Sequence, residues 1–172
     1  MRIACAMART LKEQIGKRDG FASAQEEAML NVYRTASYLS GPEHALFKSF
    51  DLSPASYNLL RILRGHDRRG ERDGVRASEI GGEMVVRMPD VTRLVDRLEA
   101  KKLVSRRVGA DDKRVKFVKI SKRGLGLLEQ IGPKIDRLID DQLGHLSAKD
   151  VNELSRLLEL VRNEDGEKKG LK

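Results

Sequence analysis

Two arginines, Arg93 and Arg97, stand four residues apart in the stretch MPDVTRLVDRLEAKKLVSRRVGADDKRVKFVKIS, Met88 to Ser121. On a helix that spacing is one turn, so the two guanidinium groups share a face. A guanidinium is a planar fork of donors that fits a phosphate or the O6 and N7 edge of guanine. Further cations flank the pair: Arg87 before it, Lys101, Lys102 and Arg106 after it, then Lys113 and Arg114. From Arg87 to Arg123 there are 13 Lys and Arg against 5 Asp and Glu, so this window holds the whole net charge of +8. A solvated surface mixes its signs. An excess confined to one segment points to an anionic partner, nucleic acid first and an acidic membrane surface second.

These side chains need elements to hold them. Val91, Leu94, Val95 and Leu98 fall at i, i+3, i+4 and i+7, an apolar helical stripe. Pro89 sits at the helix start, and Thr92, Arg93, Asp96 and Arg97 lie opposite the stripe. From Leu103 the period changes to that of strands: LVSRRV and VKFVKI, joined by GADDKR, read as a hairpin. Upstream, VRASEIGGEM predicts a short extended entry and a short helix weakened by Gly81 and Gly82. Before that, DLSPASYNLLRILRG predicts a helix capped by Ser53, begun by Pro54 and stopped at Gly65, with Tyr57, Leu60 and Leu63 inward.

Longer helices flank this centre. One is predicted from about Ala22 to Ser40, with Met29, Val32, Tyr33 and Ala36 on one face and a break or kink at Gly41 and Pro42. Another, capped by Ser121 and bent near Gly132 and Pro133, carries Leu128, Ile131, Ile135, Leu138, Ile139 and Leu143. The last opens with Ser147 and Asp150 in capping-box spacing and places Val151, Leu154, Leu158 and Val161 on one face.

The reading is a mainly α fold with a small β-hairpin wing: a winged helix-turn-helix domain with N- and C-terminal dimerisation helices. The segments are a flexible N-terminal stretch at 1–20, a dimerisation helix region at 21–51, the winged domain at 52–120, dimerisation helices at 121–163 and a disordered tail at 164–172. On that layout the second helix enters the DNA major groove, Arg93 and Arg97 reach bases or phosphates, and Thr92 meets a thymine methyl group or the backbone. Lys101 and Lys102 meet phosphates, and Lys113 and Arg114 at the hairpin tip enter a minor groove, with Asp112 orienting a neighbouring cation. The full set of DNA-contact candidates is Arg87, Pro89, Thr92, Arg93, Arg97, Lys101, Lys102, Arg106, Lys113 and Arg114.

Other classes find little support. The chain holds no GxxxxGK[ST], HExxH or GxSxG, and His44, His66 and His145 are isolated, so neither catalytic residues nor a metal or cofactor is expected. No apolar run approaches the length of a membrane span, roughly 20 residues. The start lacks a secretory pattern. A single cysteine, Cys5, fits a reducing compartment, and the expected location is the cytoplasm.

From about Ala22 to Val161 the sequence resembles the MarR family of winged helix-turn-helix transcriptional regulators, in LSPASYNLLRIL, VTRLVDRLEAKKLVSRR, DDKRVKFVKIS and SKRGLGLLEQI. Lys102 stands where that family usually has Gly. The resemblance implies a homodimer with interlocked outer helices, reading a pseudo-palindromic promoter site on double-stranded DNA, usually as a repressor. It also implies release by a small aromatic effector. Arg34, Tyr38, Tyr57 and Arg61 lie near the expected junction of helices and winged domain, where aromatic and guanidinium groups suit a carboxylated aromatic ligand. The alternatives are a redox- or metal-responsive regulator of the same fold, or a winged-helix module for protein contacts alone.

Overall fold

A computed structural model describes residues 9–71, 73–109 and 116–162. The chain divides into two compact units, Met1–Ala45 and Leu46–Lys172. The elements in order are α1 (Leu11–Gln14), α2 (Ala24–Lys48), α3 (Pro54–Arg68), β1 (Val75–Arg76), α4 (Ala77–Glu83), α5 (Val91–Ala100), β2 (Val104–Val108), β3 (Lys116–Ile120), α6 (Lys122–Leu143) and α7 (Ala148–Arg162).

The first helices differ from expectation twice. Leu11–Gln14, within the stretch expected to be flexible, is a helical turn in which Thr10 accepts from the Glu13 N–H while the Glu13 carboxylate accepts from the Thr10 N–H. And α2 runs through Gly41 and Pro42 to Lys48 instead of breaking there. Proline removes one backbone donor at a cost of roughly 3 kcal/mol. Beyond it, however, Phe47 is fully buried and stacks on Tyr57 with ring centroids 4.4 Å apart, which favours carrying the helix to that point.

The second unit holds the core. Phe47, Leu59, Leu60, Leu63, Ile80, Leu94, Val95, Leu98, Val118, Leu128 and Ile131 join in one buried cluster. Ser53 caps α3 as expected, its hydroxyl accepting from the Ser56 N–H at 3.1 Å. Gly65 does not stop the helix, which continues to Arg68 because the next residue, His66, is buried and bonded on both ring nitrogens. Strands β2 and β3 pair antiparallel with Val104 opposite Ile120 and Arg106 opposite Val118. The hairpin gains a third strand, β1, on the far side of β3. Gly74, at φ 88°, makes that approach possible, since a Cβ there would lie 2.7 Å from the Val118 carbonyl oxygen. Only glycine combines a positive φ with such a close backbone neighbour at no steric cost.

Ser121 caps α6 through the Gly124 N–H at 3.0 Å. Leu128, Ile131 and Ile135 then enter the same core as the winged elements. By contrast α7, opened by Ser147 and Asp150, has no buried residue. The expected flexible N-terminus lies outside the described residues up to residue 8, Cys5 included, and so does the tail from residue 163.

Candidate nucleic-acid interface

The helix α5 is built to present one face. Leu94, Val95 and Leu98 are buried, while Thr92, Arg93, Asp96 and Arg97 are exposed. Its start lies two residues past the expected Pro89: Asp90 is the N-cap, its carboxylate accepting from the Arg93 N–H at 2.9 Å. The same carboxylate lies 2.9 Å from Arg93 Nε, and Arg97 Nε donates to the Arg93 carbonyl at 3.4 Å. An exposed ion pair of this kind is worth under about 1 kcal/mol, so the Arg93 guanidinium is oriented but readily exchanged to another anion.

The end of α5 is closed by a left-handed residue. The Lys102 N–H donates to the Glu99 carbonyl at 2.8 Å and the Leu103 N–H to the Leu98 carbonyl at 2.9 Å, with Lys102 at φ 59°. This is the position where the resemblance leads one to expect Gly. The turn after α2 has the same form, with Asp51 at φ 55° and the Leu52 N–H bonded to the Phe47 carbonyl at 3.0 Å.

Two further cations expected to face DNA also have protein partners. Lys101 Nζ lies 2.8 Å from Asp51 Oδ2 and also donates to the Asp51 carbonyl, which ties one left-handed turn to the other. Arg106, only 19% exposed, donates to the Thr92 carbonyl at 3.1 Å and pairs with Asp96 and with Glu99, while its N–H donates to Glu99 Oε1 at 3.0 Å. These bonds brace β2 against α5 through Arg106. Lys102 is exposed, as are Arg87 and Pro89. Lys113, Arg114 and Asp112 lie outside the described residues.

The expected effector residues are divided between the two units. Tyr57 is a core residue, and its hydroxyl accepts from Arg61 Nη1 at 3.1 Å, so the pair satisfies itself. Arg34 and Tyr38 are exposed on α2, in the first unit. A cleft of about 620 Å³ in the second unit is lined by other residues, among them Phe50, Lys101, Leu103, Arg123, Leu127 and Gln130.

Several positioning residues had no signal in the sequence. Asp96 and Glu99 hold Arg106, and the Asn58 side chain accepts from the Val85 N–H at 2.9 Å to fix the connection between α4 and α5. His66, not isolated after all, has Nδ1 2.6 Å from Glu71 and Nε2 2.8 Å from Glu83, with Arg69 on the other oxygen of Glu71 at 3.1 Å. Burial of the ring opposes its charge, but the two carboxylate bonds outweigh this and raise the pKa above the ordinary 6.5. That clamp joins α3 to the end of α4. Among the described residues no cluster could hold a metal ion, and no helix is long and apolar enough to cross a membrane.

The family model described as "MarR family" matches residues 52–116. The chain is 30% identical over 110 residues to the HTH-type transcriptional regulator MhqR of Bacillus subtilis, covering 64% of this chain and 72% of that protein. A MarR transcription factor from Planctomyces limnophilus is 35% identical, with a TM-score of 0.63, over 82% of this chain and 99% of its own. BpsR of Bordetella bronchiseptica, whose structure concerns regulation of DNA binding by 6-hydroxynicotinic acid, has a TM-score of 0.71 at 18% identity, over 85% of this chain and 100% of that one. With these likenesses and a three-stranded winged domain carrying an exposed arginine pair, the chain belongs to the MarR family of winged-helix, DNA-binding transcriptional regulators.

Proposed function

We propose that the protein is a homodimeric repressor that binds a pseudo-palindromic site on double-stranded DNA and is released by a small-molecule effector. The observation that carries the DNA reading is the exposed face of α5, where Thr92, Arg93 and Arg97 stand on a back of buried Leu94, Val95 and Leu98. Arg93 and Arg97 read base edges, Thr92 supports them, and Arg87 and Lys102 meet phosphates. Lys101 and Arg106 act from behind by holding the two ends of the helix in place.

The dimer is supported by apolar side chains left in water. Met29, Val32 and Tyr33 are exposed on α2, and Ile139, Leu154, Leu157, Leu160 and Val161 on α6 and α7. Apolar patches of that kind mark contact surfaces, and a two-fold dimer doubles a short readout without new residues. Recognition helices in such a dimer lie roughly 34–36 Å apart, one turn of DNA. Release by an effector is supported by the likeness to BpsR, whose DNA binding is regulated by 6-hydroxynicotinic acid.

Fluorescence anisotropy of the full chain against duplex from its own upstream region, and against a scrambled duplex of equal length, tests the reading. Preference for the first, with affinity falling by roughly 10³–10⁵ between 50 and 200 mM salt for ~6–10 phosphate contacts, is the expected result. Equal, weak binding to both, with no preferred sequence emerging from a random duplex library, would overturn it.

A further inference from the structure

The connection between α4 and α5 turns its apolar residues in opposite directions. Met84 is buried and Met88 half-buried, which anchors the segment at two points. Between them Val85 is 85% exposed and Val86 68% exposed. Their position is not slack, because the Val85 N–H is held by Asn58 of α3. Valine is β-branched and stiff, so two such side chains on an anchored backbone form a fixed apolar projection.

The surroundings narrow what could cover that projection. Arg87 follows at once, and Arg93 and Arg97 lie on the exposed face of the helix the connection leads into. An apolar protein partner would have to bury these guanidinium groups at high cost. A DNA major groove accepts them, and it holds one apolar feature, the 5-methyl group of thymine. The connection also precedes the N-terminal end of α5, the end that reaches base edges in helix-turn-helix proteins.

We propose that Val85 and Val86 read thymine 5-methyl groups, giving the protein an apolar component of sequence discrimination beside the arginine pair. The valines exclude water from the methyl group while Arg87 takes the adjacent backbone. This rests on the DNA-binding reading above. It assigns specificity to a segment whose hydrogen-bonding side chains are Arg87 and Asp90 alone, the latter already engaged by Arg93 at the start of α5.

The test begins with the full chain and a random duplex library, from which bound sequences are selected. The selected duplex is then compared with the same duplex carrying deoxyuridine for each thymidine in turn, which removes only the methyl group. For the unaltered protein, loss of a contacted methyl should weaken binding about three- to five-fold. V85A and V86A should bind the thymidine duplex more weakly and one of them should lose the distinction between thymidine and deoxyuridine. Circular dichroism of both variants checks the fold, and the deoxyuridine comparison on the unaltered protein needs no variant at all. A selected duplex bound equally well with either base overturns the proposal and leaves the DNA reading standing. A preference for thymidine that persists in both V85A and V86A assigns the methyl contact elsewhere and also overturns it. No enrichment of any duplex removes the underlying reading and this inference with it.

Discussion

Helices α5 and α7 are written in the same alphabet and meet different fates. Each repeats apolar residues at helical spacing with charges between them. In α5 the stripe of Leu94, Val95 and Leu98 is buried by α4, β2 and the rest of the core. In α7 Leu154, Leu157, Leu160 and Val161 all remain in water and nothing is buried. An amphipathic pattern states that a face must be covered; it does not state by what. In α5 the covering comes from within the chain, which leaves the opposite face, with Arg93 and Arg97, exposed. In α7 the proposed dimer would supply it.

Charging the uncovered face puts that contrast under the greatest load. Leu157→Arg with Leu160→Arg should leave the winged domain folded by circular dichroism but convert the dimer to monomer in light scattering. DNA affinity should fall by about a hundred-fold or more, since one half-site remains where two were read. A monomer that keeps full affinity would sink the dimer. The mirror experiment is in α5: Leu98→Ala should destabilise the chain by about 2–5 kcal/mol in denaturant unfolding, the usual cost of a core cavity. If Leu157→Ala in α7 costs the monomer as much, the distinction between the two helices is wrong.

Smaller effects bear on the proposed DNA face of α5. Arg93→Ala should cost ~1–3 kcal/mol on the preferred duplex and relax discrimination at one position, whereas Lys102→Ala should weaken all duplexes alike. Equal losses for Arg93→Ala on preferred and scrambled DNA would remove its base-reading role.

The His66 clamp makes a prediction in pH. Because the folded pKa lies above the ordinary 6.5, the bonds to Glu71 and Glu83 contribute fully below about pH 6.5 and fade as pH rises through the folded pKa. Stability should therefore drop over that window in the natural protein, and His66→Gln should flatten the drop. An unchanged profile in the variant would show that the clamp carries no proton linkage. The smallest effect concerns Lys102, whose φ of 59° lies in the left-handed region. Glycine adopts that conformation without steric cost, so Lys102→Gly should raise stability by up to about 1 kcal/mol in thermal unfolding while removing one cation from the DNA face.

Much of this was legible in the chain because its causes are local. Ser53, Ser121 and Ser147 each sit three residues before the N–H they cap, a relation readable from spacing. The buried stripe of α5 and the pairing of β2 with β3 follow from periods of about 3.6 and 2. Where two local signals conflicted, as at Pro42 and Gly65, the loss of a buried Phe47 or His66 outweighed the breaker.

The winged-helix layout, the localisation of all net charge and the face of α5 that carries Arg93 and Arg97 are properties of the chain as written. Which cations remain free for a partner is settled only on folding. Lys101 meets Asp51 across 50 positions, Arg106 meets Asp96 ten positions back, His66 meets Glu83 across 17, and Asn58 holds Val85 across 27. Helix spacing reaches three or four residues, so such pairs exist only once the core has brought separate elements together. The same charge then serves as a brace at Arg106 and stays open to solvent at Lys102.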